Sequence, residues 1–145
     1  MTDELDNPFW SALNTRHRHL AIGGDGWARY PAECAPFLGV ADAQVDLSAA
    51  LAPGEQVFLL GVLPPVPAGW QLTSFRPLAQ MVCEQPVAVI EGPSIVSLAT
   101  EADRSDVLAL TALVYPHYFR SRTMELGRYC GIRRDGQLAA RSEEH

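Results

Sequence analysis

The residues with the greatest potential for chemistry lie together between positions 115 and 119. The run Tyr115-Pro-His-Tyr-Phe119 places three aromatic rings and an imidazole side by side. A proline here ends the preceding helix, so the run forms a connection, and connections often carry binding residues. A functionless exposed loop is the alternative, and His117 could serve as a general base only if it lines a cleft. The candidates for lining a substrate cleft are Tyr115, His117, Tyr118 and Phe119.

Two histidines, His17 and His19, suggest a second kind of chemistry. They share one face if that segment is an extended strand, as the residues Arg18 to Gly23 suggest. Metal sites in proteins need a third ligand, and none is available before Asp25. We therefore expect a solvated strand face and no metal, although a metal protein remains the third reading of this sequence.

The three cysteines, Cys34, Cys83 and Cys130, are too few and too far apart for a disulfide framework. None lies in a nucleophile motif, so inert thiols in a reducing compartment are expected. The N-terminal residues Met1–Asp6 are acidic and lack the apolar core of a signal peptide. The longest apolar run, Val57 to Val66, is too short to span a membrane. These features predict a cytoplasmic protein that makes no use of a membrane.

Composition limits the class of protein and of partner. The chain has 145 residues, of which 48% are hydrophobic and 19% charged, as is typical of a globular domain. Its net charge is −6, whereas a surface that binds nucleic acid is usually basic. We therefore expect no nucleic-acid partner.

The elements that must position the aromatic run are clearest in the second half. Thr100 and Asp103 have the spacing of a capping box, and apolar residues then recur at helical spacing as far as Pro116. The polar residues Arg141–His145 are not expected to continue a strand. The other elements expected here are a strand at Ile95–Leu98, a helical turn at Met124–Gly127, a strand at Tyr129–Arg133, a hairpin turn at Asp135-Gly136 and the start of a returning strand at Gln137–Ala140.

The first half has weaker signals. Asn7-Pro8 predicts the start of a short helix that runs to about Leu13. Val57–Val62 is apolar on both faces, which favours a strand at the centre of a sheet. Gly23 to Gly26 is expected to be a hairpin turn rather than a phosphate-binding loop. The remaining expected elements are strands at Arg18–Gly23, Trp27–Tyr30, Phe37–Val40 and Leu78–Cys83, and a short helix from Asp42 or Asp46 through Leu51.

This order of elements resembles the GNAT superfamily of N-acetyltransferases, in particular a bacterial branch whose catalytic half is similar to glycine N-acyltransferases. The resemblance extends over most of the chain, up to Ala140. It rests on Ile95-Val-Ser-Leu98, Asp106–Leu113, Arg122–Gly127 and Tyr129–Arg133, and in the first half on Asn7–Leu13, Leu60–Pro65 and Gln80–Cys83.

The resemblance implies an α/β (α+β) fold in which a mixed, mainly antiparallel sheet is flanked by helices. It implies acetyl-CoA as the donor and the amine of a small molecule or peptide as the acceptor, with direct transfer between them. In that family the pyrophosphate of the donor rests on a Gln/Arg-x-x-Gly-x-Gly/Ala loop at a helix N-terminus. No such motif follows Ala140, so no cofactor-binding residue is assigned and the general base and acid remain unknown.

The resemblance also implies a division of the chain. Residues 1–93 correspond to the N-terminal region of the branch, residues 94–140 to the start of the acetyltransferase domain, and residues 141–145 to a polar tail. We expect this 145-residue chain to be truncated before the acetyl-CoA motif and therefore to be inactive as an acetyltransferase. An incomplete sheet also leaves apolar surface uncovered, which predicts self-association. The alternative is a non-catalytic binding or association domain on the same scaffold.

Overall fold

A computed structural model describes residues 4–144, which form two three-stranded antiparallel sheets with a helix beside each. The first part contains a 3₁₀ turn at Glu4–Asp6, helix α1 at Pro8–Asn14, and strands β1 at Ile22–Gly24, β2 at Trp27–Arg29 and β3 at Leu38–Val40. The second part contains β4 at Val96–Ser97, helix α2 at Glu101–Val114, a 3₁₀ turn at Thr123–Leu126, β5 at Arg128–Arg134 and β6 at Gln137–Glu144. The expected mixed, mainly antiparallel α/β fold is confirmed.

The first sheet, in the order β1-β2-β3, packs against α1. Strand β3 is buried along its whole length, and Gly39 lies directly under the helix. A Cβ atom at Gly39 would lie 2.3 Å from the backbone nitrogen of Trp10, so glycine allows α1 to approach the sheet closely. Leu13 of the helix lies in the core beneath it, together with Leu20, Ala28, Tyr30, Cys34, Ala35 and Leu126.

The second sheet, in the order β4-β5-β6, is organised by a tight hairpin. Asp135 and Gly136 connect β5 to β6 with φ angles of 52° and 81°. Two positive φ angles are the signature of a type I′ turn, which is what the Asp-Gly pair predicted. Helix α2 begins with the predicted capping box, in which the Thr100 and Asp103 side chains each bond the other's backbone N–H. The core of this part consists of Leu98, Val107 and Tyr129.

Backbone and side-chain contacts join the two parts at the 3₁₀ turn Thr123–Leu126. The Thr123 hydroxyl donates a hydrogen bond to the Cys34 carbonyl, and the backbone N–H of Arg122 donates to the Glu33 carbonyl. Leu126 lies in the core of the first part. The division at residue 93 stays a prediction.

Several elements predicted in the first half do not form. Val57–Val62 contributes a single parallel bridge, from Phe58 to Phe37, and Gly61 bends the chain away with a φ of 90°. Leu78–Cys83 contains no strand, and its side chains are exposed. Residues 42–51 form turns instead of a helix, because Asp42 and Asp46 accept hydrogen bonds from backbone N–H groups two residues later.

Two further expectations about strands are wrong. Residues 15–20 form turns closed by local backbone hydrogen bonds, and β1 begins only at Ile22. Strand β6 does not stop at Ala140 but runs to Glu144, where it pairs with Arg128 of β5. Polar side chains do not prevent this pairing, because an edge strand is held by its backbone and can face water. Among the residues described, no helix has the length and apolarity that crossing a membrane requires.

Candidate functional site

The aromatic run is held at both ends by hydrogen bonds. Helix α2 ends at Val114, and the N–H of Tyr115 closes its last turn on the Thr111 carbonyl at 2.7 Å. At the other end the N–H of Arg120 donates to the Thr123 hydroxyl at 2.7 Å. That hydroxyl is itself bonded to the first part of the chain. The loop therefore connects the end of α2 to the junction of the two parts and is fixed at both.

The loop forms one wall of a cavity of about 460 Å³. The opposite wall comes from the first part of the chain and from the long connection before β4. The Tyr118 ring meets the Phe58 ring edge-on, with the ring centres 4.9 Å apart, and Phe75 lies 5.9 Å beyond Phe58. The full lining consists of Pro36, Gln56, Phe58, Phe75, His117, Tyr118 and Arg120.

Three of the four predicted site residues lie together. His117 and Tyr118 line the cavity, and the Tyr115 ring centre is 4.9 Å from that of His117 and 5.7 Å from that of Tyr118. Partial burial and a hydrogen bond with the Tyr115 side chain raise the pKa of Tyr118 above its ordinary value. The Tyr118 phenol is therefore neutral at physiological pH and can serve as a hydrogen-bonding group.

Phe119 lies elsewhere. Its ring packs edge-on against Tyr129 with centres 6.0 Å apart, in the core of the second part. The Arg141 guanidinium lies 4.8 Å above the centre of the Phe119 ring, within the range of a cation–π contact. Tyr129 donates a hydrogen bond to Glu143 at 2.6 Å. Phe119 therefore anchors the loop to the second sheet, and residues of the predicted polar tail take part in that packing.

The cavity continues into a smaller recess of about 190 Å³ that contains two arginines. Arg29 donates to both carboxylate oxygens of Glu55, at 2.9 and 3.1 Å. These hydrogen bonds, together with one from the Ala52 N–H, lower the pKa of Glu55, so the pair stays ionised. Arg120 lines both spaces, and within residues 4–144 its guanidinium forms no hydrogen bond or ion pair.

Sequence reasoning missed the opposite wall of the cavity. Phe58 lies in a segment that looked like a buried strand, and Phe75 lies in a segment with no clear pattern. Arg120 belongs to a late run of arginines in the sequence, which was the available signal. The other arginines of that run that lie close to it are paired, as Arg122 is with Glu125 at 2.7 Å.

His17 has a structural role instead of the exposed position that we expected. It is buried in a turn, where Nδ1 lies 2.7 Å from the Tyr30 hydroxyl and Nε2 lies 2.7 Å from the Leu126 carbonyl oxygen. These two contacts occupy both imidazole nitrogens of His17. Burial, and to a smaller extent the nearby Cys34, raises the pKa of Tyr30 to about 12. Within residues 4–144 no three His, Cys, Asp or Glu side chains are grouped as a metal site requires.

Comparison with solved structures found a similar protein. The structure matches a crystal structure from Novosphingobium aromaticivorans described as a "Putative Acetyltransferase from the GNAT family", with a TM-score of 0.83 and 30% sequence identity. The fold is GNAT-like. The match covers 96% of this chain but only 63% of the other chain. A scan against protein-family models and a search of curated proteins found no match.

The residues described do not fit the pyrophosphate of acetyl-CoA. An anion of this kind needs free N–H groups at a helix N-terminus. At the start of α2 the Asp103 carboxylate already accepts from the N–H groups of Ala99 and Thr100, at 3.1 and 3.0 Å. Glu101 adds a second negative charge in the same turn. Helix α1 is short and begins with a proline, which has no N–H to offer.

Proposed function

We propose that this chain is part of a GNAT N-acetyltransferase, an enzyme that moves an acetyl group from acetyl-CoA to the amine of a small molecule or peptide. The observation that carries the proposal is the match to the Novosphingobium protein, at 30% identity and a TM-score of 0.83 over 96% of this chain. A shared fold alone would leave the function open. Here the sequence motifs and the fold point to the same family. Because the three cysteines are free thiols, we place the enzyme in the reducing cytoplasm.

In this proposal the chain contributes the acceptor side of the enzyme. The cavity beside Tyr118 receives the amine, and the loop at residues 115–120 forms its wall. The carboxylates of Glu101 and Asp103 at the start of α2 disfavour a pyrophosphate there, so we assign no part of the donor site to residues 4–144. The 145-residue chain by itself should therefore neither bind acetyl-CoA nor transfer its acetyl group.

The test compares two proteins. One is the 145-residue chain, and the other extends it after Glu144 with the strands, loop and helix that the family order places there, taken from the Novosphingobium protein. Calorimetry with acetyl-CoA should show saturable binding only to the extended protein. The extended protein should also release the CoA thiol when amines are supplied. Binding of acetyl-CoA to the short chain would contradict the assigned division, and an extended protein that folds but binds no acetyl-CoA would contradict the function.

The alternative is a non-catalytic association domain, and one observation favours it. Several large apolar side chains between residues 78 and 96 are almost fully exposed, including Met81 at 91%, Val89 at 99% and Ile90 at 83%. Apolar surface of this kind often marks an interface. If the extended protein shows no acetyl-CoA-dependent activity while the short chain forms a defined oligomer by size-exclusion chromatography, the association role is the better description.

A further inference from the structure

We propose that the cavity beside Tyr118 selects acceptor amines that have a flat apolar body and a carboxylate group. The role of the ligand as an acceptor rests on the proposed function, whereas its chemistry rests on the cavity alone. At about 460 Å³ the cavity falls within the range of small-molecule sites. It is too small for a folded partner but large enough for a compound with one aromatic ring.

A row of aromatic rings in the cavity wall favours a flat body. Tyr118 and Phe58 form an edge-on pair in the wall, and Phe75 continues the row. Phe75 is 68% exposed, although it lies 5.9 Å from the Phe58 ring centre. A flat ligand that covered Phe75 would remove this apolar surface from water and add ring-to-ring contacts.

The charges around the cavity favour a carboxylate. Arg29 is neutralised by two hydrogen bonds to Glu55, and Arg122 by two to Glu125. Arg120 lines both the cavity and the smaller recess, and its guanidinium has no such partner among residues 4–144. Its backbone is held in place by the bond to Thr123. A guanidinium binds a carboxylate through two parallel hydrogen bonds, which gives selectivity as well as affinity.

Four probes separate the features of the ligand: phenylalanine, phenethylamine, glycine and 3-phenylpropanoate. Each of the last three lacks one feature of phenylalanine, namely the carboxylate, the ring or the amine. Binding to the 145-residue chain is measured by chemical-shift titration, with no acetyl-CoA present. We expect phenethylamine to bind about 10- to 100-fold more weakly than phenylalanine, because a charge-assisted hydrogen bond is lost. Glycine should also bind more weakly, and 3-phenylpropanoate should lose the least.

Substitutions then test which residues cause the preference for a ring and a carboxylate. Arg120→Gln should abolish the difference between phenylalanine and phenethylamine, and Arg120→Lys should keep part of it. Phe75→Ala should weaken phenylalanine binding about threefold to tenfold through lost ring contacts. Arg134→Gln, an exposed arginine near the β5–β6 turn, is the matched control and should change nothing. Thermal melting establishes that each variant is folded.

The proposal is overturned if no probe binds, if phenethylamine binds as tightly as phenylalanine, or if Arg120→Gln keeps the preference. Each of these results concerns the acceptor cavity without any use of the donor. An extended protein without acetyltransferase activity would instead contradict the proposed function, and it would leave the pattern of probe binding unchanged.

Discussion

The two parts of the molecule are built from similar elements but bury them to different extents. In the first part β3 is buried on both faces. The 7-residue helix α1 covers Gly39, and residues 45–62 cover Leu38 and Val40, which are 0% and 1% exposed. In the second part α2 has 14 residues, yet only Val107 and Thr111 are buried. Leu113 and Val114, near its end, are 84% and 71% exposed.

This difference shows that helix length does not determine burial. Helix α1 meets both β2 and β3, whereas α2 meets mainly the edge strand β6. Because α2 lies beside the edge of a three-stranded sheet, the side chains of its last turn have no strand to pack against. In the enzyme that we propose, further strands and a further helix would cover this face. The first part is therefore a closed unit, and the second part is an open one.

The strongest test of this contrast truncates one leucine in each part. Leu38→Ala in β3 should reduce the free energy of unfolding by about 2–5 kcal/mol, since it leaves a cavity in a closed core. Leu113→Ala at the end of α2 should change it by less than about 0.5 kcal/mol, because the side chain already faces water. Urea unfolding at low protein concentration, monitored by tryptophan fluorescence, measures both.

Equal losses from the two substitutions would mean that the end of α2 is covered in solution. A small loss from Leu38→Ala would mean that the first part is not a closed core. If the parent chain forms an oligomer and Leu113→Ala makes it dissociate, the surface that covers the end of α2 belongs to a second copy of the chain.

A second test concerns the junction between the parts. Thr123→Val keeps the shape of the side chain but removes the hydroxyl that bonds both the Cys34 carbonyl and the Arg120 N–H. We expect a loss of about 1–3 kcal/mol, because a buried carbonyl and a partly buried N–H are left without partners. The control is Thr15→Val, whose hydroxyl bonds the Ser11 carbonyl at an exposed position and should matter little.

The shape of the unfolding curve gives further information on this junction. If Thr123→Val separates a single transition into two, the two parts are held together mainly by these contacts. If the curve keeps a single transition with an unchanged midpoint, the contrast between a closed and an open part is less sharp than the static structure suggests.

The same contrast explains what the sequence could predict. The capping box at Thr100 and the Asp135-Gly136 turn were predicted correctly, because their signals lie within a few residues of each other. The strand expected at Val57–Val62 was wrong, because strand formation depends on a partner, and only Phe58 finds one. Local signals are strong in the second part, and non-local contacts decide the first.

The candidate site divides in the same way. Tyr118 and His117 were predicted because they are neighbours in the sequence. Phe58 and Phe75 were not assigned to the cavity, because they lie far from the loop in the chain and meet it only after folding. A pattern search along the sequence has no means of joining them. That the Arg120 guanidinium has no partner among residues 4–144 likewise appears only once the structure is known.

The smallest expected effect concerns how the start of α2 responds to acid. Asp103 accepts hydrogen bonds from the backbone N–H and the hydroxyl of Thr100, and a further one from the Arg133 guanidinium. These contacts hold the pKa of Asp103 well below its ordinary value. A carboxyl group whose pKa is lowered by folding stabilises the protein above the pKa of its unfolded form, near 3.9, and this stability is lost as the pH falls through the folded value.

Asp103→Asn should therefore lower the urea midpoint of unfolding at pH 6. As the pH falls from about 4 to about 2, the midpoint of this variant should decrease less than that of the parent chain. Asp25→Asn, at the turn between β1 and β2, is the control and should leave the acid limb unchanged. Because Asp103 lies at the base of the helix whose far end is uncovered, the smaller decrease shows how far α2 depends on its cap instead of on packing. An unchanged acid limb in Asp103→Asn would mean that packing against β6 already holds the helix, and the second part would then be less open than the exposure of Leu113 indicates.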